Sequence, residues 1–341
     1  MSETISLETA VPIEDAKLKK PILEVQGLVK YYPVKKELLQ IGKETQYVKA
    51  VNDVSFNLYE GETYGLVGES GCGKSTIGRT LVRLIEPTDG KALYNGKDLF
   101  ELKGEGMRDM RQEIQMIFQD PYSSLNPRKR IGQIIEEPLI IHSIGNKKER
   151  TEIAMDILNK VGLQLDHYYR FPHELSGGQR QRIGLARALV VNPKIIIADE
   201  PVSALDVSIQ SQVINLLQEI QEDLKLTYLF IAHDISVVRH ISDRIGVMYL
   251  GHIVEEAPTD SLLATPLHPY TQALLSAVPL PNPKAKKERI ILQGEIPSPL
   301  NPPSGCVFHT RCPLVMDVCK VDKPVMKEEK PNHFVACHLF N

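Results

Sequence analysis

The chain contains 341 residues with a formal net charge of −3, and 42% of its residues are hydrophobic and 24% charged. This balance offers no overall basic surface for nucleic acid, and the apolar runs at 195–198 and 274–278 are too short to cross a bilayer. Residues 1–15 are acidic and lack the apolar core of a signal peptide, so we expect a cytosolic protein. The length predicts a large α/β domain with a smaller appendage.

Residues 68–76 match the phosphate-binding pattern G-x-x-x-x-G-K-S/T. A short strand is predicted at 62–67 and a helix at 77–84, which is the context that this pattern requires. Backbone N–H groups at such a helix N-terminus bind phosphate oxygens, Lys74 adds positive charge at the β- and γ-phosphates, and the Ser75 hydroxyl can ligate Mg²⁺. The alternative, a glycine-rich packing turn, needs neither the lysine nor the hydroxyl. The predicted nucleotide contacts are Gly68, Ser70, Gly71, Cys72, Gly73, Lys74, Ser75 and Thr76.

A second glycine-containing motif begins at Ser176, immediately before a helix predicted at 180–189. Serine is a favourable N-cap residue, and the two glycines after it expose N–H groups at the positive end of the helix. The segment therefore predicts a second anion site, although an ordinary capped helix would have the same residues. The predicted contacts are Ser176, Gly177, Gly178 and Gln179.

Polar side chains follow three apolar strands. The strands predicted at 114–118, 194–198 and 228–232 are followed by Gln119, by Asp199 and Glu200, and by His233. Asp199 is placed to hold Mg²⁺ through water, and Glu200 to polarise the water that attacks the γ-phosphate. Asp206 lies shortly after this pair. Taken alone, His233 would more often be an ordinary histidine at the end of a strand.

In this order the motifs resemble the nucleotide-binding subunit of an ATP-binding cassette (ABC) transporter, from about Leu23 to Pro258. The resemblance implies an α/β P-loop domain that binds ATP and Mg²⁺. It implies that Gln119 senses Mg²⁺ and the membrane partner, that Glu200 is the general base, and that His233 contacts the γ-phosphate. Asp199 and Asp206 are expected to join the same nucleotide site.

The family also has a characteristic dimer, in which two cassettes sandwich two ATP molecules head to tail. One copy of each motif means one cassette per chain, so we expect the functional unit to be a dimer. By position, Tyr32 is similar to the aromatic residue that stacks on adenine in this family. The neighbouring Tyr31 leaves the register open, and a packing role for one of the two tyrosines is an equal alternative.

A helical subdomain is predicted at about 120–175, with helices around 132–142 and 147–161 and a turn-rich opening at 120–128. In ABC transporters this subdomain receives a coupling helix from the membrane subunit. A helical insertion that serves only stability is the alternative. The opening segment is similar to that of ATPases of peptide importers.

After Pro258 the chain becomes rich in proline, which predicts an extended appendage without long helices. These prolines are at positions 266, 269, 279, 281, 283, 297, 299, 302 and 303. Residues 267–279 look like the C-terminal hallmark of oligopeptide, dipeptide and nickel importer ATPases. We interpret His268, within this hallmark, as structural.

Four of the five cysteines lie in this appendage, with five, six and seventeen residues between them. They are Cys306, Cys312, Cys319 and Cys337. Disulfides are disfavoured in a reducing compartment, and the spacing lacks the paired C-x-x-C knuckles common at zinc sites. The pattern at 305–313 is similar to peptide-importer ATPases in which a cluster is described, so a structural 4Fe–4S cluster is the first prediction. The alternatives are free thiols or a zinc site, which His309, His333 or His338 could join.

We therefore predict an ATPase that energises import of oligopeptides or dipeptides, placed at the cytoplasmic face of the membrane through its partners. Those partners would be a second, related ATPase chain, two membrane-spanning permease subunits and an extracytoplasmic peptide-binding protein, without nucleic acid. The segment 31–36 and the insertion after it favour the second of two paired ATPases. The predicted division is a flexible segment 1–20, a cassette 21–258 and a tail region 259–341.

Three other functions stay open at this point. A nickel or metal-chelate importer would share the same tail region. A soluble ABC ATPase acting on ribosomes or DNA would typically carry two cassettes or a long coiled-coil insertion, neither of which is present. A regulatory nucleotide-binding module without hydrolysis is disfavoured by the presence of both Glu200 and His233.

Overall fold

A computed structural model describes residues 20–34, 45–120, 124–278 and 289–340. Most of the predicted N-terminal segment 1–20 lies outside these ranges, as do residues 35–44 of the insertion and 121–123 of the turn-rich opening. Within the described ranges the chain forms two β-sheets with helices packed around them, so the predicted α/β class is confirmed.

The smaller sheet is antiparallel and has the order β2-β1-β4-β5. Its strands are β1 (Pro21–Pro33), β2 (Tyr47–Tyr59), β4 (Asp89–Tyr94) and β5 (Lys97–Asp98). The central strand β1 pairs on both sides, so that Leu23 lies opposite Leu58 on β2 and Tyr94 on β4. The sheet thereby covers one face of the larger sheet with a continuous layer of apolar side chains.

The larger sheet has eight strands, of which five are parallel to their neighbours. The strands are β3 (Thr63–Val67), β6 (Ile114–Ile117), β7 (Ile195–Asp199), β8 (Thr227–Ala232), β9 (Arg244–Tyr249), β10 (His252–Pro258), β11 (Lys327–Lys330) and β12 (His333–Val335). Their order is β11-β12-β10-β9-β3-β8-β7-β6, with the parallel part running from β9 to β6. The carboxyl ends of these parallel strands meet at one edge of the sheet.

Alternate side chains of the parallel strands enter two separate cores, because successive residues of a strand point to opposite faces. Ile196 and Phe230 lie in the core shared with the helical segment. Ile195 and Leu229 lie in the core shared with the smaller sheet. All four are fully buried, which explains why these strands are continuous apolar runs in the sequence.

The helices follow the predicted order. They are α1 (Lys74–Leu81), α2 (Gly104–Glu113), α3 (Ile131–Ile141), α4 (Lys147–Lys160), α5 (Gly177–Leu189), α6 (Val207–Leu224), α7 (Ile235–Ile241), α8 (Thr259–Ala264), α9 (Pro269–Ser276) and α10 (Asp317–Val321). The two helices predicted in the helical subdomain correspond to α3 and α4. Asn146 begins α4 with a capping box, since its side chain accepts the N–H of Glu149 while Glu149 accepts the N–H of Asn146. No helix in the described ranges is long and apolar enough to span a bilayer.

The tail region is joined to the cassette through the larger sheet. Strand β12 pairs with β10, so that Glu255 lies opposite Val335. Beside this pairing, Nε2 of His333 lies 2.7 Å from Oε1 of Glu255, and both side chains are fully buried. The proline-rich tail region therefore has only short helices and strands among its described residues, as expected, but two of these strands extend the larger sheet.

Candidate functional site

The phosphate loop connects β3 to α1 and is pressed against neighbouring strands. Gly73 has φ +110°, and a Cβ there would lie 2.1 Å from the carbonyl oxygen of Ala50. A Cβ at Gly68 would lie 2.1 Å from the carbonyl oxygen of Met248. A Cβ at Gly71, in contrast, would meet nothing within 4 Å, so the loop faces open space at this residue. The glycines thus fit the backbone into the fold and leave one side clear for a phosphate group.

Lys74 is folded back over the loop that it follows. Its Nζ donates to the carbonyl oxygens of Gly68 at 2.7 Å and of Glu69 at 3.1 Å, and the residue is 4% exposed. The side chain therefore spans the loop and places a positive charge beside the first turn of α1. No side-chain hydrogen bond caps that helix, which leaves its first N–H groups to an anion.

Ser75 and Asp199 form a small polar centre beneath the loop. The hydroxyl of Ser75 donates to Oδ1 of Asp199 at 2.6 Å, and Asp199 is fully buried. Burial raises the pKa of Asp199, while the hydrogen bond from Ser75 and the nearby Arg79 oppose this shift. Oδ2 of Asp199 has no hydrogen-bond partner among the described residues, although Arg79 lies 3.6 Å away. A buried carboxylate oxygen without a donor, next to a hydroxyl, fits the hard oxygen ligands that Mg²⁺ prefers.

Three predicted catalytic residues meet at a single oxygen. Oε2 of Glu200 accepts a hydrogen bond from Nε2 of Gln119 at 3.0 Å and lies 3.1 Å from Nδ1 of His233. Glu200 has φ +47°, and its N–H donates to the carbonyl of Ile231 at 2.9 Å. A left-handed backbone at a non-glycine residue is costly, so the neighbouring strand β8 must hold Glu200 in this conformation.

The motif at Ser176 forms a capping box at the start of α5. The hydroxyl of Ser176 accepts the N–H of Gln179 at 3.3 Å, and Oε1 of Gln179 accepts the N–H of Ser176 at 2.9 Å. A Cβ at Gly178 would lie 2.7 Å from Cγ2 of Ile209, so α5 and the start of α6 pack closely there. Between described residues, no hydrogen bond joins 176–179 to the phosphate loop, and the motif faces a cavity of about 490 Å³. One chain therefore does not bring the two anion sites together.

The sequence predicts two further nucleotide contacts, Asp206 and Tyr32, with Tyr31 as the alternative to Tyr32. Asp206 is the N-cap residue of α6 and makes no capping hydrogen bond with its side chain. Tyr31 donates from its hydroxyl to Oδ1 of Asn52 at 2.6 Å, whereas Tyr32 lies under Nζ of Lys30, 5.0 Å from the ring centroid. The roles predicted for Asp206 and Tyr32 stay predictions.

The four tail cysteines are free thiols, of which Cys312 is half-buried and the other three are buried. The backbone N–H of Cys306 donates to the carbonyl of Cys319 at 2.9 Å. Burial raises the pKa of Cys306 to about 11, and the thiols of Cys319, Cys337 and Cys312 add to this shift. The described ranges show no group of three or more His, Cys, Asp or Glu arranged to hold one metal ion. The cluster and the zinc site stay predictions.

No pattern in the sequence predicts that the tail region reaches the phosphate loop. Arg311 pairs with Glu69 through two hydrogen bonds, and Tyr270 accepts the N–H of Glu69. Residues 69 and 311 are 242 positions apart, and neither lies in a pattern that links them. Tyr270 belongs to the predicted C-terminal hallmark, which is the one local signal that pointed to this region.

Two family models match the chain: "ABC transporter" over residues 51–203, and "Oligopeptide/dipeptide transporter, C-terminal region" over residues 254–319. The oligopeptide transport ATP-binding protein AppF of Bacillus subtilis is 57% identical over 326 residues, which cover 95% of this chain and 98% of that protein. The dipeptide transport ATP-binding protein DppF of Escherichia coli is 51% identical over 324 residues, which cover 95% and 96% of the two chains.

Solved structures agree with these sequence matches. The dimeric ATP-binding cassette MJ0796 bound to ADP and Pi is 30% identical, with a TM-score of 0.61 over 70% of this chain and 98% of that one. The cbiO1 protein of Clostridium perfringens, part of the ABC transporter complex cbiONQ, is 26% identical, with a TM-score of 0.62 over 72% and 92% of the chains. The chain therefore belongs to the ATP-binding subunits of ABC transporters, in the branch that carries the oligopeptide/dipeptide C-terminal region.

Proposed function

We propose that this chain hydrolyses ATP to energise the import of oligopeptides or dipeptides across the cytoplasmic membrane. The observation that carries the proposal is the meeting of Gln119 and His233 at Glu200, beside the polar centre formed by Ser75 and Asp199. The peptide substrate is supported by the match of residues 254–319 to the C-terminal region of oligopeptide and dipeptide transporters.

In this proposal the phosphate loop binds ATP. Lys74 neutralises charge on the phosphates, and the first turn of α1 adds its N–H groups. Ser75, Asp199 and Gln119 would hold Mg²⁺, which when bound draws negative charge from the phosphate oxygens. Oδ2 of Asp199 accepts no hydrogen bond from the described residues and has only the distant Arg79 guanidinium at 3.6 Å, which supports this assignment because a bound cation would offset the cost of burying the oxygen.

Glu200 acts as the general base for the attacking water. Gln119 donates to its Oε2, and His233 lies next to the same oxygen, so two neighbours orient the carboxylate. Because the carboxylate is already oriented by its neighbours, its side chain does not have to lose rotational freedom when it accepts the proton. Tyr32 stacks on adenine, and Asp206 contributes to the site from the start of α6.

The active unit is a dimer of two cassettes. Ser176 to Gln179 of one chain would complete the site on the phosphate loop of the other. The two anion sites, at the start of α1 and at the start of α5, are separate within one chain. This supports the arrangement, since the phosphates at one site can then be contacted from the other side only by a second chain. We infer that the partner is a second, related ATPase, and that the cassette spans 21–258 with its helical subdomain at about 120–175.

The remaining partners are two permease subunits and an extracytoplasmic peptide-binding protein. The helical subdomain docks on the permeases, which keep the protein at the cytoplasmic face of the membrane. The tail region 259–341 holds a structural 4Fe–4S cluster on Cys306, Cys312, Cys319 and Cys337. The pattern of residues 305–313 and the backbone hydrogen bond from Cys306 to Cys319 support this proposal, as thiolates are the usual ligands of such clusters.

Transport is tested with the complete complex in liposomes, by following uptake of labelled tri- to pentapeptides, dipeptides and Ni²⁺ with and without ATP. We expect ATP-dependent uptake of peptides. Uptake of Ni²⁺ or a nickel chelate alone would replace the peptide assignment with the metal importer. ATP hydrolysis without uptake of any of these solutes would contradict both importer assignments.

The cluster is tested on protein purified without oxygen. We expect a brown protein that contains about four iron and four sulfide per chain. Replacing any one of the four cysteines by serine should remove the colour. One zinc per chain would establish the zinc alternative, and metal-free protein with four reactive thiols would reject both sites.

A further inference from the structure

The phosphate loop is held from the tail region at one residue, Glu69. Nη1 of Arg311 donates to Oε2 of Glu69 at 2.7 Å, and Nη2 donates to Oε1 at 3.0 Å. The backbone N–H of Glu69 donates to the phenolic oxygen of Tyr270 at 2.9 Å. Residues after position 258 thus hold Glu69 by both its side chain and its backbone. A planar guanidinium that pairs with both oxygens of a carboxylate also fixes its orientation.

The pair is shielded from water. The side chain of Arg311 is 8% exposed and that of Glu69 is 24% exposed. The guanidinium lies over the ring of Tyr249, with 5.8 Å between its carbon and the ring centroid. A shielded, two-point ion pair is less weakened by salt than a surface pair, and loss of one partner leaves the other charge poorly solvated. Removal of either partner should therefore weaken the contact between the tail region and the phosphate loop.

The turn that carries Arg311 is itself fixed to the cassette. The ring of Phe308 is fully buried, with its centroid 5.2 Å from that of Tyr249 and 5.4 Å from that of Tyr270. The backbone N–H of Arg311 donates to the carbonyl of Phe308 at 3.0 Å, which sets the guanidinium relative to this ring. The position of Arg311 thus depends on the packing of Phe308 in the tail region.

On the other side of the contact, Glu69 is part of the network of Lys74. Nζ of Lys74 donates to the carbonyl oxygens of both Gly68 and Glu69. Any shift of Glu69 would therefore move an acceptor of the lysine that we assign to the phosphates. A continuous path of polar contacts runs from Arg311 through Glu69 to Lys74.

We propose that Arg311 is a positioning residue for the phosphate loop, and that the Arg311–Glu69 pair couples nucleotide binding to the order of the tail turn 305–312. The proposal rests on the proposed function, since it requires the loop to bind nucleotide. Coupling between two sites is reciprocal. Loss of the pair therefore lowers the affinity for nucleotide, and bound nucleotide stabilises the turn.

Affinity is measured by titrating full-length protein with ATP and Mg²⁺. Arg311→Ala should weaken binding about tenfold, within the usual range of coupling between sites. Arg311→Lys should restore part of this loss, because it keeps the charge but not the two-point geometry. The matched control is Lys327→Ala, an exposed lysine of β11 that should bind like the wild type. Unchanged affinity in Arg311→Ala would overturn the proposal.

A double-variant comparison isolates the pair itself. Glu69→Gln preserves the shape of the side chain and keeps the hydrogen bond from the backbone to Tyr270, so it removes the charge of the pair with less loss of packing than Arg311→Ala. The double variant Glu69→Gln, Arg311→Ala should have about the same affinity for ATP as the single variant with the lower affinity. Losses that simply add would show that the two residues act independently and would contradict the coupling.

The reciprocal effect is measured by hydrogen exchange of the turn 305–312. Wild-type protein should exchange more slowly there when ATP is present, and Arg311→Ala should lose most of this protection. A purely structural role of Arg311 predicts faster exchange in the variant but no response to ATP in the wild type, which would overturn the proposal. Wild-type protein that binds no ATP would instead refute the proposed function.

Discussion

Nε2 of Gln119 donates to Oε2 of Glu200 at 3.0 Å, although 81 positions separate the two residues in the sequence. They meet because β6 and β7 are adjacent parallel strands, with Ile117 beside Ala198, and each residue follows the end of its strand. The amide thereby fixes the orientation of the carboxylate that we propose as the general base. The residue that immediately precedes the helical subdomain is thus in direct contact with the proposed base.

Glu200→Gln should retain ATP binding and lose ATP hydrolysis. The amide preserves the shape of the side chain but cannot accept the proton of the attacking water, so we expect turnover to fall by about a hundredfold or more. Phosphate release and ATP titration measure the two effects separately. Glu222→Gln, an exposed carboxylate on α6, is the matched control. Turnover near the wild-type level would show that another group is the base.

Lys74→Ala should weaken nucleotide binding itself. The variant removes the charge assigned to the phosphates and the two hydrogen bonds that span the loop. Affinity and turnover should therefore fall together, in contrast to the effect of Glu200→Gln. Titration of ATP measures this, with the exposed Lys97→Ala as a control. Full affinity with loss of hydrolysis would require a different role for Lys74.

Ser176→Arg should prevent the ATP-dependent dimer while leaving ATP binding to the phosphate loop intact. The bulky cation would occupy the N-terminus of α5, where the second nucleotide is expected. Ser176→Ala separates this effect from the loss of the helix cap, which costs about 1 kcal/mol on its own. Sedimentation of the variants with the partner ATPase measures the dimer. Normal ATP-dependent association of Ser176→Arg would argue against the head-to-tail arrangement.

Acidification should destabilise the protein through His268. Burial lowers the pKa of His268 from 6.5 to about 4, and its Nδ1 accepts the N–H of Tyr270 at 3.0 Å. Since the unfolded chain takes up a proton first, the free energy of unfolding should be highest above pH 6.5 and fall between about 6.5 and 4. Urea unfolding at a series of pH values measures this fall.

The matched variant for this test is His268→Asn, which can still cap α9 but does not titrate. Its free energy of unfolding should fall less than that of the wild type over the same range of pH. The exposed His240→Asn should keep the full wild-type dependence. Equal dependence in all three proteins would show that other groups, such as the buried His252, cause the effect.

Much of the fold followed from local patterns in the sequence. A strand and a helix frame the phosphate loop as predicted, because a buried parallel strand is a continuous apolar run. The strand predicted at 62–67 spans Thr63–Val67, whereas the helix predicted at 77–84 spans Lys74–Leu81, since it starts at the lysine of the motif. Glu200 and His233 also lie together, since residues after adjacent parallel strands meet at one edge. Their chemical roles stay predictions.

The contacts of the tail could not be predicted in this way. The pairing of Arg311 with Glu69 and that of His333 with Glu255 join residues 242 and 78 positions apart. Such contacts depend on how whole segments pack, and neither hydrophobic period nor turn residues record them. The sequence indicated a small tail held by cysteines, whereas the structure also anchors it through Phe308 and through strand β12.

The pairing of β12 with β10 has a consequence for how the chain folds while it is being synthesised. Glu255 is synthesised 78 residues before His333, so β10 leaves the ribosome with an open hydrogen-bonding edge. The sheet is closed only when the last strands arrive, and the outermost of them is β11, whose four residues are all charged and exposed. Strands β12 and β11 therefore cover an edge of the cassette that could otherwise pair with another chain.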